Sequence, residues 1–264
     1  MSDPRAAARV LHAARRARER LTSLSPELAP RTEAEAAAAR RALAELAREV
    51  GPEAAPVGFK IGATAPRMQA YLGLDGPAAG FMGAAGIHES GARLPHAQFV
   101  APGVECELAV RLAEDLPPGP CTPERAASAV ATLFPAIEIV DNRYGDLVRL
   151  GTPTLIADQV FHAGAVLGAP SSGTDWRALD MTGLTGRISV DGTVRDQGRA
   201  ADLMGHPIRC LAWLAGSQVT AAFGGLRKGQ VIMLGSVTPP VWLPGPARVE
   251  VAFDEFSPVL FTFM

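Results

Sequence analysis

Val104-Glu105-Cys106-Glu107-Leu108-Ala109-Val110-Arg111-Leu112 alternates with the period of a strand. Extended, it turns Val104, Cys106, Leu108, Val110 and Leu112 to one face and Glu105 and Glu107 to the other, Cβ atoms on the same side. Two carboxylates held that close repel, so something positive compensates or one takes up a proton. A hard divalent cation is a natural partner, because Mg²⁺ prefers carboxylate oxygens and keeps waters. The competing reading is a half-exposed strand whose glutamates face water.

Leu133-Phe134-Pro135-Ala136-Ile137-Glu138-Ile139-Val140 is apolar apart from Glu138 and reads as a buried strand. A buried, unpaired carboxylate costs several kcal/mol, so Glu138 needs a partner. A metal shared with Glu105 and Glu107 supplies one. Arg143 is the alternative, pairing with Glu138 or with Asp141. Phe59-Lys60-Ile61-Gly62-Ala63-Thr64 sets a lysine in an apolar segment beside a glycine that lets a ligand approach the backbone. Lys60 either binds a substrate carboxylate, works as an acid/base with a lowered pKa, or snorkels at the surface. Of 25 basic residues only Lys60 and Lys228 are lysine, a hint that each is needed as an amine, which burial can deprotonate where it cannot deprotonate arginine.

The 264 residues suffice for one large domain, or a small and a large one, and 48% hydrophobic content supplies a core. A net charge of −2 argues against a nucleic-acid scaffold or a basic membrane-surface protein. No apolar run approaches the roughly 20 residues of a membrane span. The Arg- and Ala-rich start lacks the apolar stretch of a secretory signal, and Glu19, Glu27 and Glu33 argue against a transit peptide. Cys106, Cys121 and Cys210 are far apart, with no CxxC pair, which excludes the usual zinc and disulfide frameworks and fits a reducing, cytoplasmic compartment. Dinucleotide, P-loop, nucleophile-elbow and zincin motifs are absent. His206 reads as packing at a helix start. His162, after Phe161, reads as a satisfied core histidine rather than a pocket residue.

Residues 4–21 and 32–50 read as helices, the second with an apolar stripe of Ala39, Leu43, Leu46 and Val50 and a capping box of Thr32 and Glu35. Leu24–Pro30 reads as the loop between them. Beyond Gly51, glycines, prolines and short apolar runs predict many strands, with helices at Pro66–Leu72, Pro123–Leu133 and about Pro207–Phe223. The expectation is an α+β chain: a helical region, 1–55, and a mixed β-sandwich or roll catalytic domain, 56–264.

Four stretches together resemble one family: Gly58-Phe59-Lys60-Ile61-Gly62, Val104-Glu105-Cys106-Glu107-Leu108, Pro135-Ala136-Ile137-Glu138-Ile139-Val140-Asp141-Asn142-Arg143-Tyr144 and Ile156-Ala157-Asp158. Gly205-His206-Pro207, Trp213-Leu214-Ala215 and Gly235-Ser236 add to them. The chain resembles the 2-keto-4-pentenoate hydratase and 4-oxalocrotonate decarboxylase group of the fumarylacetoacetate hydrolase superfamily. The resemblance implies a Mg²⁺ or Mn²⁺ ion on Glu105, Glu107 and Glu138, with Lys60 near the substrate's 2-oxo acid end. Ile61, Gly62, Thr64, Gln69, Phe161 and Ser236 are the positions where we expect that substrate. A homo-oligomer is implied too, or a complex with a related hydratase or decarboxylase.

Two departures bear on the chemistry. Hydratases of the group carry an acid in a segment that here reads Pro77-Ala78-Ala79-Gly80, and Ala78 cannot move a proton. Their Ala-Asp-Asn-Ala-Ser run is here Ala157-Asp158-Gln159-Val160-Phe161, which puts a large aromatic where a small polar residue is usual. The expectation is therefore a lyase of a small unsaturated 2-oxo acid working through a metal-stabilised enolate, with decarboxylation favoured over hydration. A member repurposed for a bulkier substrate, by tautomerisation or C–C hydrolysis, and a non-catalytic partner subunit are the alternatives.

Overall fold

The computed structural model describes residues 3–50, 56–170 and 175–264, apart from the side chains of Val50, Arg67 and Tyr71. Helices α1 (Pro4–Ala17) and α2 (Glu33–Val50) come first. They are followed by β1 (Pro56–Gly62), α3 (Pro66–Leu72), β2 (Ala78–Gly83), β3 (Ile87–Glu89), β4 (Ala92–Leu94) and β5 (Pro102–Leu112). Next are α4 (Pro123–Ser128), β6 (Val130–Asp141), α5 (Leu147–Leu150), α6 (Thr152–Ala157), β7 (His162–Leu167), β8 (Thr185–Val190) and β9 (Thr193–Arg199). Helices α7 (Pro207–Ala215) and α8 (Gln218–Ala221) precede β10 (Val231–Ser236), β11 (Val241–Trp242), β12 (Ala247–Phe253) and β13 (Val259–Phe263).

The strands form two mixed, open sheets, as expected of the α+β reading. The larger runs β2-β1-β10-β5-β6-β7-β3, with β11 also paired to β5; the smaller runs β4-β13-β12-β8-β9. The smaller sheet has one buried face: Val249, Val251 and Phe253 point in from β12, and Val259, Phe261 and Phe263 from β13. Gly186 marks how closely the sheets meet, since a Cβ there would lie 2.7 Å from Cys106 Sγ on β5. The even side chains of β5 thus face the second sheet, as their alternation predicts.

The opposite face of β5 is also covered. Ala109 joins Met82, Phe134, Ala136, Ala165, Val231 and Met233 in a second, smaller apolar cluster, and Glu105 and Glu107 continue that face. The helices pack by the expected logic: Ala7, Ala8 and Leu11 of α1, with Ala36, Ala39 and Leu43 of α2, enter the main core. No helix among the described residues is long and apolar enough to cross a membrane.

Several expected boundaries shift. Helix α1 stops at Ala17 rather than residue 21, because Arg18 turns left-handed (φ 56°) and Leu21 instead pairs with Tyr144. Thr32 does accept from Glu35 N (3.2 Å), but the Glu35 carboxylate reaches Arg31 N (2.9 Å), so the capping box is displaced by one residue on its return arm. Helix α4 ends at Ser128 and not at Leu133, since Thr132 and Leu133 pair with Arg111 and Val110 of β5. The Pro207–Phe223 helix breaks after Ala215, where Ser217 starts α8 by accepting from Thr220 N. Helix α3 matches its expected span. Of the α2 stripe, Ala39 and Leu43 are buried and Leu46 packs on the core; the Val50 side chain lies outside the described residues.

Candidate metal centre

The antiparallel register of β5 and β6 sets Glu105 directly across from Glu138, and Glu107 across from Ala136. Directly opposed residues share a face, as do residues two apart on one strand, so all three carboxylates emerge on one side of the sheet. One ligand oxygen from each lies within 4.8 Å of the others. Glu107 and Glu138 are fully buried and Glu105 is half-buried, so the water-facing reading of the pair does not hold.

Each buried carboxylate has one oxygen anchored by protein and one left over. Glu138 Oε1 takes a hydrogen bond from His162 Nδ1 (2.7 Å) and has Lys60 Nζ at 3.6 Å, while Oε2 has no partner. Glu107 Oε2 accepts from Gly235 N (3.0 Å), while Oε1 has no partner. A bulge in β10, between Met233 and Ser236, turns that N–H inward, and Gly235 sits at φ 110° with no room for a Cβ beside Thr64. Buried oxygens without donors are costly, and two of them facing a third carboxylate fit the donor set of a hard divalent cation.

The electrostatics agree. Burial and the Glu138 charge push the Glu105 carboxyl up to about 8, with Lys60 opposing. Burial, with Glu138 and Glu105, pushes Glu107 well above the carboxylate range. Burial would raise Glu138 too, but the Lys60 ammonium and the His162 hydrogen bond outweigh it and hold it at about 2. Glu138 is therefore ionised and can only accept, so the proton sits on Nδ1 of His162, whose own pKa burial lowers.

Lys60 is buried, not snorkelling, and donates to Val160 O (3.0 Å). That carbonyl belongs to an unusual turn: Gln159, Val160 and Phe161 all have positive φ (65°, 47° and 66°). Left-handed backbone costs about 1–2 kcal/mol per ordinary residue, so the surroundings must impose it. Gln159 Oε1 accepts from Phe81 N (2.7 Å), and Asp158, just before the turn, is fully buried in a cluster of its own. Asp158 accepts from Arg15 Nε (2.6 Å), from Tyr144 Oη (2.8 Å) and from Arg143, and Arg15 also donates to the carbonyls of Asp158 (2.5 Å) and His162 (3.1 Å). Arg143 therefore pairs with Asp158, not with Glu138 or Asp141; Asp141 instead accepts from Val100 N and Ala101 N.

The other expected substrate positions scatter around this centre. Gly62 is adjacent: a Cβ there would lie 3.2 Å from Lys60 Nζ. Thr64 is buried against Gly235. Ser236 sits across from Glu107 but spends its hydroxyl on Thr238 O (2.6 Å). Gln69 donates to Ala63 O (2.8 Å), bracing the loop after β1. The Ile61 side chain is in the main core, on the face away from Lys60, so only its backbone borders the site. The Phe161 ring rests on Tyr144 (5.4 Å) and Trp242 (5.8 Å). Sequence reasoning missed His162 as the partner of Glu138, and Asp158 with Arg15 as the base of the turn. It quoted Asp158 in a motif, but the long-range pairing carried no local signal.

The family model for fumarylacetoacetate (FAA) hydrolase, C-terminal, matches residues 69–262. The chain is 34% identical over 207 residues to a 2-keto-4-pentenoate hydratase of Burkholderia vietnamiensis, covering 78% of each. It is 34% identical over 222 residues to a 4-oxalocrotonate decarboxylase of a Pseudomonas species, covering 82% of each. Its fold is similar to that of the 4-oxalocrotonate decarboxylase from Pseudomonas putida G7, solved with magnesium and adipate: TM-score 0.88 at 22% identity, over 99% of this chain and 97% of that one.

Proposed function

The chain belongs to the fumarylacetoacetate hydrolase family, and within it we propose a divalent-metal-dependent lyase of a small unsaturated 2-oxo acid, with loss of CO₂ favoured over addition of water. The observation that carries this reading is the convergence of Glu105, Glu107 and Glu138 with two buried oxygens lacking donors. These carboxylates would hold Mg²⁺ or Mn²⁺; the solved decarboxylase of like fold contains magnesium. When bound, the ion supplies a Lewis acid to the 1-carboxylate and 2-oxo oxygens of the substrate.

The chain's own residues do the rest. Glu138, ionised and anchored by His162, keeps the Lys60 ammonium facing the centre. Lys60 uses one proton on Val160 O and has others to offer a substrate carboxylate or 2-oxo oxygen. In 4-oxalocrotonate the C5–C6 bond breaks, its electron pair moves along the conjugated chain to the 2-oxo oxygen, and the carboxyl carbon leaves as CO₂. That step needs a proton only at the oxygen, where Lys60 stands. Hydration also needs a group to deliver water or a proton at the far double bond. Ala78, buried and paired with Gly62 on the same sheet face as Lys60, supplies none.

The test is a pair of assays with Mg²⁺: CO₂ release from 4-oxalocrotonate, and loss of 2-hydroxypenta-2,4-dienoate absorbance. We expect the first to be efficient and to vanish in Glu138→Gln. Efficient hydration without CO₂ release overturns the decarboxylase assignment. Indifference of both assays to Mg²⁺ overturns the lyase reading altogether.

A further inference from the structure

The glutamate centre meets solvent through one of its members. Lys60, Glu107 and Glu138 are buried, while Glu105 is only half-buried. A ligand therefore reaches the centre past Glu105. Two positions along β5 from Glu105, away from Glu107, the same face carries Gly103, about 7 Å distant. Gly103 has no side chain and is nevertheless buried, because the indole of Trp242 lies over it. Trp242 pairs directly with Gly103 across β11 and β5, so it stands on the face of the glutamates. A Cβ on Gly103 would lie 2.7 Å from Trp242 Cε3, which leaves glycine as the residue that lets the ring settle there.

The ring itself is not covered. Trp242 is 43% exposed, the one aromatic among the large apolar side chains exposed in the described residues. It is held in place all the same. Phe161 meets it edge-on, at 78° and 5.8 Å between centroids. Phe161 leans in turn on Tyr144 (5.4 Å), whose hydroxyl donates to Asp158 (2.8 Å). Phe161 is the aromatic that stands where the related hydratases have a small polar residue, and its ring braces Trp242. The result is an indole with glycine beneath it, a ring beside it and open surface beyond, next to the exposed member of the centre. Aromatic side chains with a free face bind other planar groups by stacked or edge-to-face contact.

We propose that Trp242, braced by Phe161, is a binding platform for a planar aryl or extended conjugated tail on a 2-oxo acid whose 2-oxo acid end lies at the glutamate centre. The proposal rests on the reading of that centre given above and adds a class of substrate beyond small acids. The platform asks for no charge on the tail, so it favours a flat apolar group over an alkyl chain. The spacing from Glu105 to Gly103 suits a ring carried on C4, with C1 and C2 bearing the chelating oxygens.

The experiment is calorimetric titration of the full chain with Mg²⁺ against oxalate, 2-oxo-4-phenylbutanoate and 2-oxopentanoate, the last two differing only in phenyl versus methyl on C4. We expect the phenyl acid to bind about tenfold tighter than the methyl acid, from apolar burial plus one aromatic pair. Trp242→Ala should collapse that ratio towards unity while oxalate binds as before, and Trp242→Phe should restore part of it. A ratio near one in the unmutated protein overturns the proposal; if Trp242→Ala then alters the sedimentation of the chain, the ring is a contact between copies instead. An unchanged ratio in Trp242→Ala also overturns it, as does an equal loss for all three ligands, which marks Trp242 as merely a cover for Gly103. Failure of oxalate to bind the unmutated protein with Mg²⁺ defeats the glutamate-centre reading and this proposal together. Oxalate binding with a flat ratio defeats the Trp242 platform alone.

Discussion

Two buried charge clusters sit side by side in this chain, and they are built to opposite rules. Around Asp158, one carboxylate meets two guanidiniums and a phenol, so both of its oxygens have donors and the one group left over is the donor Arg143 Nη1. Around Glu138, three carboxylates meet one ammonium and a neutral imidazole, and two oxygens are left with nothing. The turn at residues 159–161 joins the two, because Asp158 begins it and Val160 ends it on Lys60. A finished cluster does structural work; an unfinished one of the same depth marks where a ligand is expected.

Breaking the finished cluster should cost most. Asp158→Ala strips the buried Arg143, the half-buried Arg15 and Tyr144 of their acceptor, and removing one partner of a buried pair costs about 3–5 kcal/mol. Denaturant unfolding of the metal-free protein measures this. A loss below about 1 kcal/mol, within the range of a surface pair, would erase the contrast between the clusters.

The unfinished cluster should instead respond to pH and metal. Glu105, at about 8, and Glu107, pushed well above the carboxylate range, keep protons in the folded chain that the unfolded chain has released by about pH 5. Folded binds more protons than unfolded across that window, so metal-free stability falls as pH rises from about 5 to 8. Glu138 has the opposite sign: held at about 2, it contributes stability above the unfolded carboxylate pKa that is lost as pH falls towards 2. A saturating divalent ion displaces the protons, adding about 2.7 kcal/mol at a hundredfold excess over Kd. Melting curves with and without Mg²⁺ should therefore diverge as pH rises. Parallel curves from pH 5 to 8 would remove the metal from the account.

The smallest expected effect is the most discriminating. Glu107→Gln removes a carboxyl whose ionisation burial, Glu138 and Glu105 oppose, but keeps an acceptor for Gly235 N. Metal-free stability should hold or rise by about 1 kcal/mol, as a desolvated, repelled carboxyl becomes a neutral amide. The Mg²⁺-induced rise in melting temperature should disappear. Any clear destabilisation of the metal-free protein would mean that Glu107 belongs to the finished kind of cluster after all.

What the sequence disclosed follows the range of each cause. Strand alternation is local, so Glu105 and Glu107 could be placed on one face from their spacing alone. Glu138 could be placed as a buried acid in need of a partner. Its partners could not: His162 arrives across β7 and Lys60 from β1, contacts set by strand order. Arg143, for which the sequence offers Glu138 and Asp141 as near alternatives, reaches Asp158. The left-handed turn was invisible because Gln159-Val160-Phe161 holds no glycine, and a β-branched residue there is a choice only tertiary contacts impose. The misjudged end of α4 has the same origin, since pairing with β5 overrides the helical preference of Ala131 and Leu133.

Lysine scarcity has a practical reach beyond mechanism. Only two side-chain amines exist, and the fold separates them: Lys60 is sealed at the centre, while Lys228 is exposed in the turn before β10. Amine-reactive dyes, cross-linkers or resin therefore find one accessible side-chain handle. Tethering through Lys228 gives a defined orientation on a surface. Conversely, any conjugation at Lys60 reports an opening of the buried centre, which makes mild acylation followed by mass spectrometry a footprint of breathing at that spot.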